Sequence, residues 1–335
     1  MLLLRFIHRP LASALALVAA TFVAVRAEAE EIVSSNYGVT VNGMPFAVAQ
    51  ALGFFKQEGA DVTGILTSSG GGTTIRNLIG GKLPYGESSL ASVVTAVQQG
   101  AKLKIVSGNA HTVAEFYWVV MPNSPIKSVK DLKGKKLGFT NPKSTSEALD
   151  NLLLRQIGLK PGDVELVKTG GFGPMLVTLE QGGIDVAPLA DPMYTKNKQK
   201  YRVLVTAAEA LPALTNVVGV TTEEAARAKG DFIRAVIRAR RRAVEYIYFN
   251  PLEAAKLIAP AYNLDVDTTK EILLSLIAST SPSGVPYWGP GDIRYGPMDN
   301  MMKVEREMGS IAGDVKWADL VDESFLPDDL KSKKK

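Results

Sequence analysis

Short apolar runs along the chain alternate with stretches in which apolar residues recur at helical spacing. Val62 to Leu66 ends in Thr67-Ser68-Ser69-Gly70-Gly71-Gly72-Thr73-Thr74, after which Ile75, Leu78 and Ile79 share one helical face. Leu83 to Tyr85 ends in Gly86-Glu87-Ser88-Ser89, after which Leu90, Val93, Val94 and Val97 do the same. Each unit reads as strand, tight turn and helix start. One such turn is explained by Ser and Thr capping a helix and Gly turning the chain. Two in succession bring unpaired backbone N–H groups and two positive helix ends to the same sheet edge, where an anion or other small acceptor can be held.

The same alternation runs on. Glu31 to Ser35 reads as a strand, followed by a polar loop and a helix carrying Phe46, Val48, Ala49 and Leu52. Leu103 to Val106 is another short strand, and the series predicts a mostly parallel sheet covered by helices. At Phe116 to Met121 a continuous apolar run meets Pro122-Asn123-Ser124-Pro125, which we read as a first crossing between two lobes. A second series follows: strand Lys136 to Phe139, polar loop Thr140 to Ser146, and a helix with Leu149, Leu152, Leu153 and Ile157 on one side. Strand Glu165 to Val167 ends in Lys168-Thr169-Gly170-Gly171-Phe172-Gly173, with Pro174 suited to the first turn of the next helix. Strand Ile184 to Leu189 ends in Ala190-Asp191-Pro192. Asn216 to Val220 reads as a second crossing, and the remainder is mainly helical except for a long loop, Ser281 to Pro297, whose rings Tyr287, Trp288 and Tyr295 are expected to pack over the first lobe.

Charge changes little in this picture. The basic start (Arg5, His8, Arg9), the apolar run Leu11 to Val25 and small residues at Val25-Arg26-Ala27 or Ala27-Glu28-Ala29 predict a cleavable export signal over 1–27 and hence a periplasmic protein. Its loss would remove three of the 38 basic residues and leave them nearly balanced by 34 acidic ones. Lys and Arg are otherwise interspersed with acids, so no nucleic-acid partner is expected. Arg238, Arg240, Arg241 and Arg242 are expected on the solvated face of a helix whose apolar face holds Phe232, Ile233, Val236, Ile237, Val244 and Ile247, and Lys331 to Lys335 as a solvated tail.

Candidate chemistry is sparse. There is no Cys, which excludes disulfides, thiol nucleophiles and thiolate metal sites. Beyond residue 27 the one His is His111, and no Gly-x-Ser-x-Gly elbow surrounds any Ser, which argues against hydroxyl catalysis and against an imidazole metal set. Gly81-Lys82 is followed by Leu83 and Gly134-Lys135 by Lys136, so neither forms a phosphate loop. We therefore expect no enzyme, no cofactor, no metal and a monomer.

Pro45-Phe46-Ala47-Val48-Ala49, Gly53-Phe54-Phe55-Lys56-Gln57-Glu58-Gly59-Ala60-Asp61-Val62, the Gly70-Gly71-Gly72 turn, Ser128 to Lys136 and Asn250-Pro251-Leu252-Glu253-Ala254-Ala255 form an ordered set. In this the chain resembles extracytoplasmic solute-binding proteins of the nitrate/sulfonate/taurine ABC-transporter type, over nearly its whole length after the export segment. The resemblance implies an α/β periplasmic binding protein type II fold: two α/β lobes, joined by two crossing segments, that close on a ligand cleft. Lobe 1 would comprise 30–117 with 219–330 and lobe 2 118–218. It also implies delivery of a small ligand to a membrane permease driven by a separate ATPase.

Carried over by position, the cleft would be lined in lobe 1 by Asn42, Ser68, Ser69, Gly70, Glu87, Ser88, Ser89 and Asn109. In lobe 2 it would be lined by Ser144, Thr145, Ser146, Gly171, Phe172 and Asp191, with Trp118 at the crossing. Ser144 to Ser146 at a helix start would suit a sulfonate or carboxylate, or serve as a plain N-cap. Glu87 and Asp191 would face a ligand ammonium, as an aminosulfonate would supply, or pair with a protein group such as Lys143 or Lys168, or stand solvated. Phe172 and Trp118 could stack on a ring, which keeps aromatic or pyrimidine-like ligands open. A binding subunit of a non-ABC transporter, a sensor, and the pyrimidine-synthesising enzyme branch of this fold are the alternatives to an ABC importer component.

Overall fold

The computed structural model describes residues 29–142, 144–160, 162–279 and 284–332. The expected export signal, Lys143 and the end of the basic tail lie outside the described residues. No helix among them is long and apolar enough to cross a membrane.

Strands β1 (Ala29–Ser35), β2 (Asp61–Ser68), β3 (Gly86–Ser89) and β4 (Leu103–Ala110) come from the first part of the chain. They are separated by helices Met44–Ala51, Phe54–Glu58, Gly71–Gly80 and Leu90–Gln98. Strands β5 (Phe116–Val120), β6 (Lys136–Phe139), β7 (Glu165–Lys168), β8 (Ala187–Ala190) and β9 (Arg202–Thr206) follow, with helices Thr145–Gln156 and Phe172–Glu180 between them. Then β10 (Val217–Thr222) and β11 (Trp288–Gly291) return to the first sheet, whose order is β11-β4-β10-β3-β1-β2. In it β1 runs parallel to β2 and β3, whereas β10 is antiparallel to β3 and β4, and β11 is antiparallel to β4.

The pairing of β1 with β2 and β3 is what aligns the first site edge. Ser35 stands opposite Ser68 and Ser34 opposite Glu87, so these parallel strands end together and their following turns share one edge. In open α/β sheets ligands bind at that carboxyl edge. On the other side, β5 lies between β8 and β9, and the parallel pair β6–β7 adjoins it through a Leu137–Val186 bridge. Apolar packing closes both parts: Ile32, Phe46, Leu78, Ile105, Tyr287 and Trp288 are buried in the larger core, and Tyr117, Val119, Met175 and Leu189 in a smaller one.

Three expectations need correction. Phe116 to Met121 is not a crossing but contains β5, and Asn216 to Val220 is not one but leads into and forms most of β10; the chain passes between the sheets at residues 111–115 and 207–216. A continuous apolar run buried on both faces reads alike as connector or central strand. Gly86-Glu87-Ser88-Ser89 is not a turn but strand β3 itself, held between β1 and β10. Arg240 is not solvated. It projects from helix Gly230–Phe249 at helical spacing from Val236, Ile237, Val244 and Ile247, and so shares their buried face. Arg238 and Arg242 do lie outward, where both pair with Glu58, and Arg241 pairs with Glu245 and Asp329.

The long loop contributes more than cover. Tyr287 and Trp288 are fully buried, and β11 forms an edge of the large sheet. Trp288 Nε1 donates to Val41 O at 3.3 Å, which ties this segment to the polar loop after β1.

Candidate functional site

A cleft of ≈ 310 Å³ lies where the strand ends of the two sheets face one another. From the large sheet come Ser35, Asn36, Thr40, Asn42, Ser69, Gly70, Gly71, Ser89 and Ser92; from the other side come Phe116, Thr140, Asn141, Ser144, Thr145, Ser146, Phe172 and Ala190. Glu115 and Asn216, one from each link between the sheets, and Val217 complete it. The volume is at the low end of the range of about 300–1,000 Å³ usual for small-molecule sites. A larger cavity, ≈ 820 Å³, lies between helix Thr145–Gln156 and the end of helix Tyr295–Glu307. Its wall includes Leu154, Leu159, Val164 and Leu166, and its Arg155 and Glu307 pair with each other, so it presents fewer unspent polar groups than the smaller cleft.

Four helices begin at this cleft: Gly71–Gly80, Leu90–Gln98, Thr145–Gln156 and Phe172–Glu180. Their positive ends make it receptive to negative charge without a basic side chain. The first and last have no side-chain cap, because Gly70 and Gly171 occupy the cap positions. The triple glycine has two separate causes. Gly70 has φ +138°, a conformation rarely open to other residues, and a Cβ on Gly71 would meet Ser89 Oγ at 2.5 Å and Ser92 Oγ closer still.

The second wall is a knot of hydroxyls. Ser144 caps its helix by accepting from Glu147 N at 3.3 Å, and its Oγ lies 2.9 Å from Ser146 Oγ. Ser146 Oγ accepts from Thr140 N at 3.0 Å. Ser144 is thus both N-cap and cleft wall.

Of the residues carried over by position, Asn42, Ser69, Gly70, Ser89, Ser144, Thr145, Ser146 and Phe172 line the cleft. Ser68, Glu87, Ser88, Asn109, Trp118, Gly171 and Asp191 do not line it. Ser68 bonds Thr74 at 2.5 Å behind the turn, and Ser88 donates to Gly71 O at 3.3 Å. Glu87 faces neither ligand nor lysine: its Oε2 accepts from Asn109 Nδ2 (2.6 Å) and Arg240 Nε (3.3 Å), and its Oε1 from Asn42 Nδ2 (3.0 Å) and Ser34 Oγ (3.2 Å). Asn109 is spent in that network and on Tyr85. As a result, Glu87 positions Asn42, whose other neighbours are Thr40 and Ser35 O, from beneath the cleft.

Trp118 is fully buried and donates to Asp150 Oδ1 at 2.6 Å, so it cannot stack on a ligand. Gly171 only caps the helix that presents Phe172. Asp191 accepts from Thr195 N (3.1 Å), Thr195 Oγ1 (2.6 Å) and Tyr117 Oη (3.1 Å); Lys168, the other proposed partner, is exposed at the end of β7. Burial pushes the Asp191 pKa up to about 6 despite these bonds. His111 is buried and shares a hydrogen bond with Asp292 at 3.1 Å.

Among the cleft residues that sequence reading missed, Glu115 matters most. It is the one ionisable side chain in the described lining and only 4% exposed. Its signal was present: a single acid inside Thr112-Val113-Ala114-Glu115-Phe116-Tyr117 interrupts a buried apolar stretch. Phe116, the first residue of β5, has its ring 6.4 Å from that of Phe172, and the two make the aromatic wall.

A family model described as NMT1/THI5 like matches residues 40–254, more than half of the chain. The chain belongs to the NMT1/THI5-like family. Solved structures agree on the fold. The periplasmic aliphatic sulphonate binding protein SsuA from Escherichia coli has a TM-score of 0.69 at 20% identity, over 84% of this chain and 91% of that one. The periplasmic nitrate-binding protein NrtA from Synechocystis PCC 6803 has 0.65 at 13%, over 89% and 87%. The desulfurization enzyme DSZB has 0.61 at 14%, over 89% and 97%. No curated protein matches in sequence. This NMT1/THI5-like chain therefore has the periplasmic-binding-protein fold expected from its sequence, a fold that serves binders and at least one enzyme alike.

Proposed function

We propose that this chain is the periplasmic substrate-binding component of an ABC importer, exported by a cleavable signal over 1–27. In this reading it captures a small organic anion or zwitterion of sulfonate, taurine-like or carboxylate type between two lobes, joined by the links at residues 111–115 and 207–216. As a monomer it then presents the closed form to a membrane permease driven by a separate ATPase. The observation that carries the reading is the cleft itself: four helix starts and a set of Ser, Thr and Asn groups converge on one small volume at the facing strand ends. Binding rather than turnover is favoured by the chemistry of the lining, in which no hydroxyl stands beside an imidazole. Among the described residues no group of three or more His, Cys, Asp or Glu could hold a metal ion.

Native mass spectrometry of protein purified without refolding should find a small organic acid retained. A fluorescence or thermal-shift panel of sulfonates, carboxylates, amino-sulfonates and pyrimidines should respond to one class, and turnover of any member would overturn the reading. The Phe116–Phe172 wall favours a second reading, a ligand with a planar ring, which the pyrimidine arm of the same panel tests.

A further inference from the structure

Glu115 is the buried acid that the protein itself leaves unfinished. Oε1 accepts from Asn216 Nδ2 at 3.2 Å, so the two links between the sheets meet here, whereas Oε2 has no hydrogen bond of ordinary geometry among the described residues, although the buried Tyr287 hydroxyl lies against the carboxyl and acts on it as a donor. Other buried acids differ. Both Glu87 oxygens and both Asp191 oxygens are bonded, and Asp150, whose Oδ2 is also unpaired, lies behind Trp118 and away from the cleft. The titratable groups that face Glu115 are Asp191, which repels it, and Tyr287, whose buried hydroxyl also lacks a hydrogen bond of ordinary geometry. Burial pushes the Glu115 pKa up to about 8, so at neutral pH the carboxyl is mostly protonated until a cation reaches it.

We propose that Glu115 is the specificity-determining residue of the cleft and accepts a hydrogen bond from a ligand ammonium, while the ligand's acidic group lies at the Ser69–Gly71 and Ser144–Ser146 helix starts. This rests on the solute-binding reading and narrows its ligand from small anions to zwitterions. The pairing assigned from sequence to Glu87 and Asp191 moves to a cleft-lining residue with one carboxyl oxygen that lacks a hydrogen bond of ordinary geometry. The ligand keeps its ammonium protons and Glu115 releases its carboxyl proton to solvent, so binding yields an ion pair and one H⁺. Affinity for an aminated ligand rises with pH by up to about tenfold per unit below pH 8 and levels off above it. A ligand without the amine shows the opposite trend, because ionised Glu115 repels it.

Calorimetric titration of the full chain with matched pairs tests this: 2-aminoethanesulfonate against ethanesulfonate, and 3-aminopropanoate against propanoate. Wild type should bind one aminated member at least about tenfold more tightly than its partner and release a proton at pH 7, read from two buffers of different ionisation heat. Glu115→Gln should lose that preference and the proton release while leaving affinity for the unaminated partner within about threefold. Equal affinities within the wild-type pair, or an equal loss for both members in the variant, would overturn the role of Glu115 and leave the binding reading standing. Absence of heat from all four probes would overturn the assignment of a small zwitterion, and the wider panel would then judge the binding reading. The wild-type comparison decides the matter even if the variant fails to fold.

Discussion

Arg240→Met tests whether the floor of the cleft is built as described. The Met side chain retains the aliphatic packing and removes a guanidinium that makes three contacts: Nε to Glu87 Oε2 (3.3 Å), Nη1 to Gly289 O (2.7 Å) and Nη2 to Asn109 O (2.8 Å). The two side chains are 2% and 0% exposed, so solvent and salt screen little of the pair. Removing one partner of a buried pair costs about 3–5 kcal/mol, because the other is left uncompensated. Burial pushes the Glu87 pKa above its ordinary value even with Arg240 beside it, so the folded state holds its proton more tightly than the unfolded chain. Stability then falls as pH rises above the ordinary Glu range, and without Arg240 it falls more steeply. We expect the full loss of about 3–5 kcal/mol at pH 8 and a smaller loss at pH 5. Urea denaturation of Arg240→Met, Glu87→Gln and the double variant supplies the measurement, with a coupling of about 2 kcal/mol in the cycle. A single-variant cost below about 1 kcal/mol at pH 8, or strict additivity, would refute the account of Glu87 and Arg240 as one buried unit.

Gly70→Ala and Gly71→Ala should each destabilise by about 1 kcal/mol or more, the first through backbone strain and the second through contact with Ser89 and Ser92, whereas Gly72→Ala, whose Cβ would meet only Arg76 Nη1 at 3.7 Å, should not; thermal melts compare the three. Ser144→Ala with Thr145→Ala should lose about 1 kcal/mol from the missing cap and also weaken binding of whichever panel compound responds; unchanged affinity would show that this wall does not hold the acidic group. Trp118→Phe should cost about 1–3 kcal/mol in urea by leaving Asp150 without its donor, with cleft affinity unaffected. The Asp191 pKa, raised to about 6, favours the folded state below about pH 4, and that contribution of up to about 3 kcal/mol is lost as pH rises through 6. Asp191→Asn should therefore show a flatter stability profile than wild type between pH 4 and 7 in denaturation curves.

Periodicity and turn chemistry carried far where a local rule decides. The Gly70 turn, the Ser89 and Ser144 caps and the glycine before Phe172 are local features, and all stand at helix starts on or beside the cleft. Reading failed where identity of type hid a difference of place. Leu83 to Tyr85 is apolar and Gly86 to Ser89 polar, which suggests strand and then turn. The polar four are nonetheless the strand, because their Ser and Glu side chains find partners in Arg240, Asn42 and Gly71. Trp118 has the ring a ligand could stack on, but its burial against Asp150 is settled by residues far along the chain. Arg240 was legible in principle, since its spacing from Val236 and Val244 places it on the apolar face.

The sequence alone determined most of the helices and the strands of the alternating series, that small polar residues recur at helix starts, and that thiol and paired-imidazole chemistry is absent, because those follow from neighbours in the chain and from composition. Only the tertiary structure decided which acid lines the cleft. Glu87, Asp191 and Glu115 are alike as sequence: each is an acid among small or apolar residues. Partners 4 to 153 residues away satisfy Glu87 and Asp191, whereas the sheet links bring Asn216 to one oxygen of Glu115 and leave the other without a hydrogen bond of ordinary geometry. The acid left incompletely paired at the cleft is the remainder after long-range pairing, a quantity no local pattern contains.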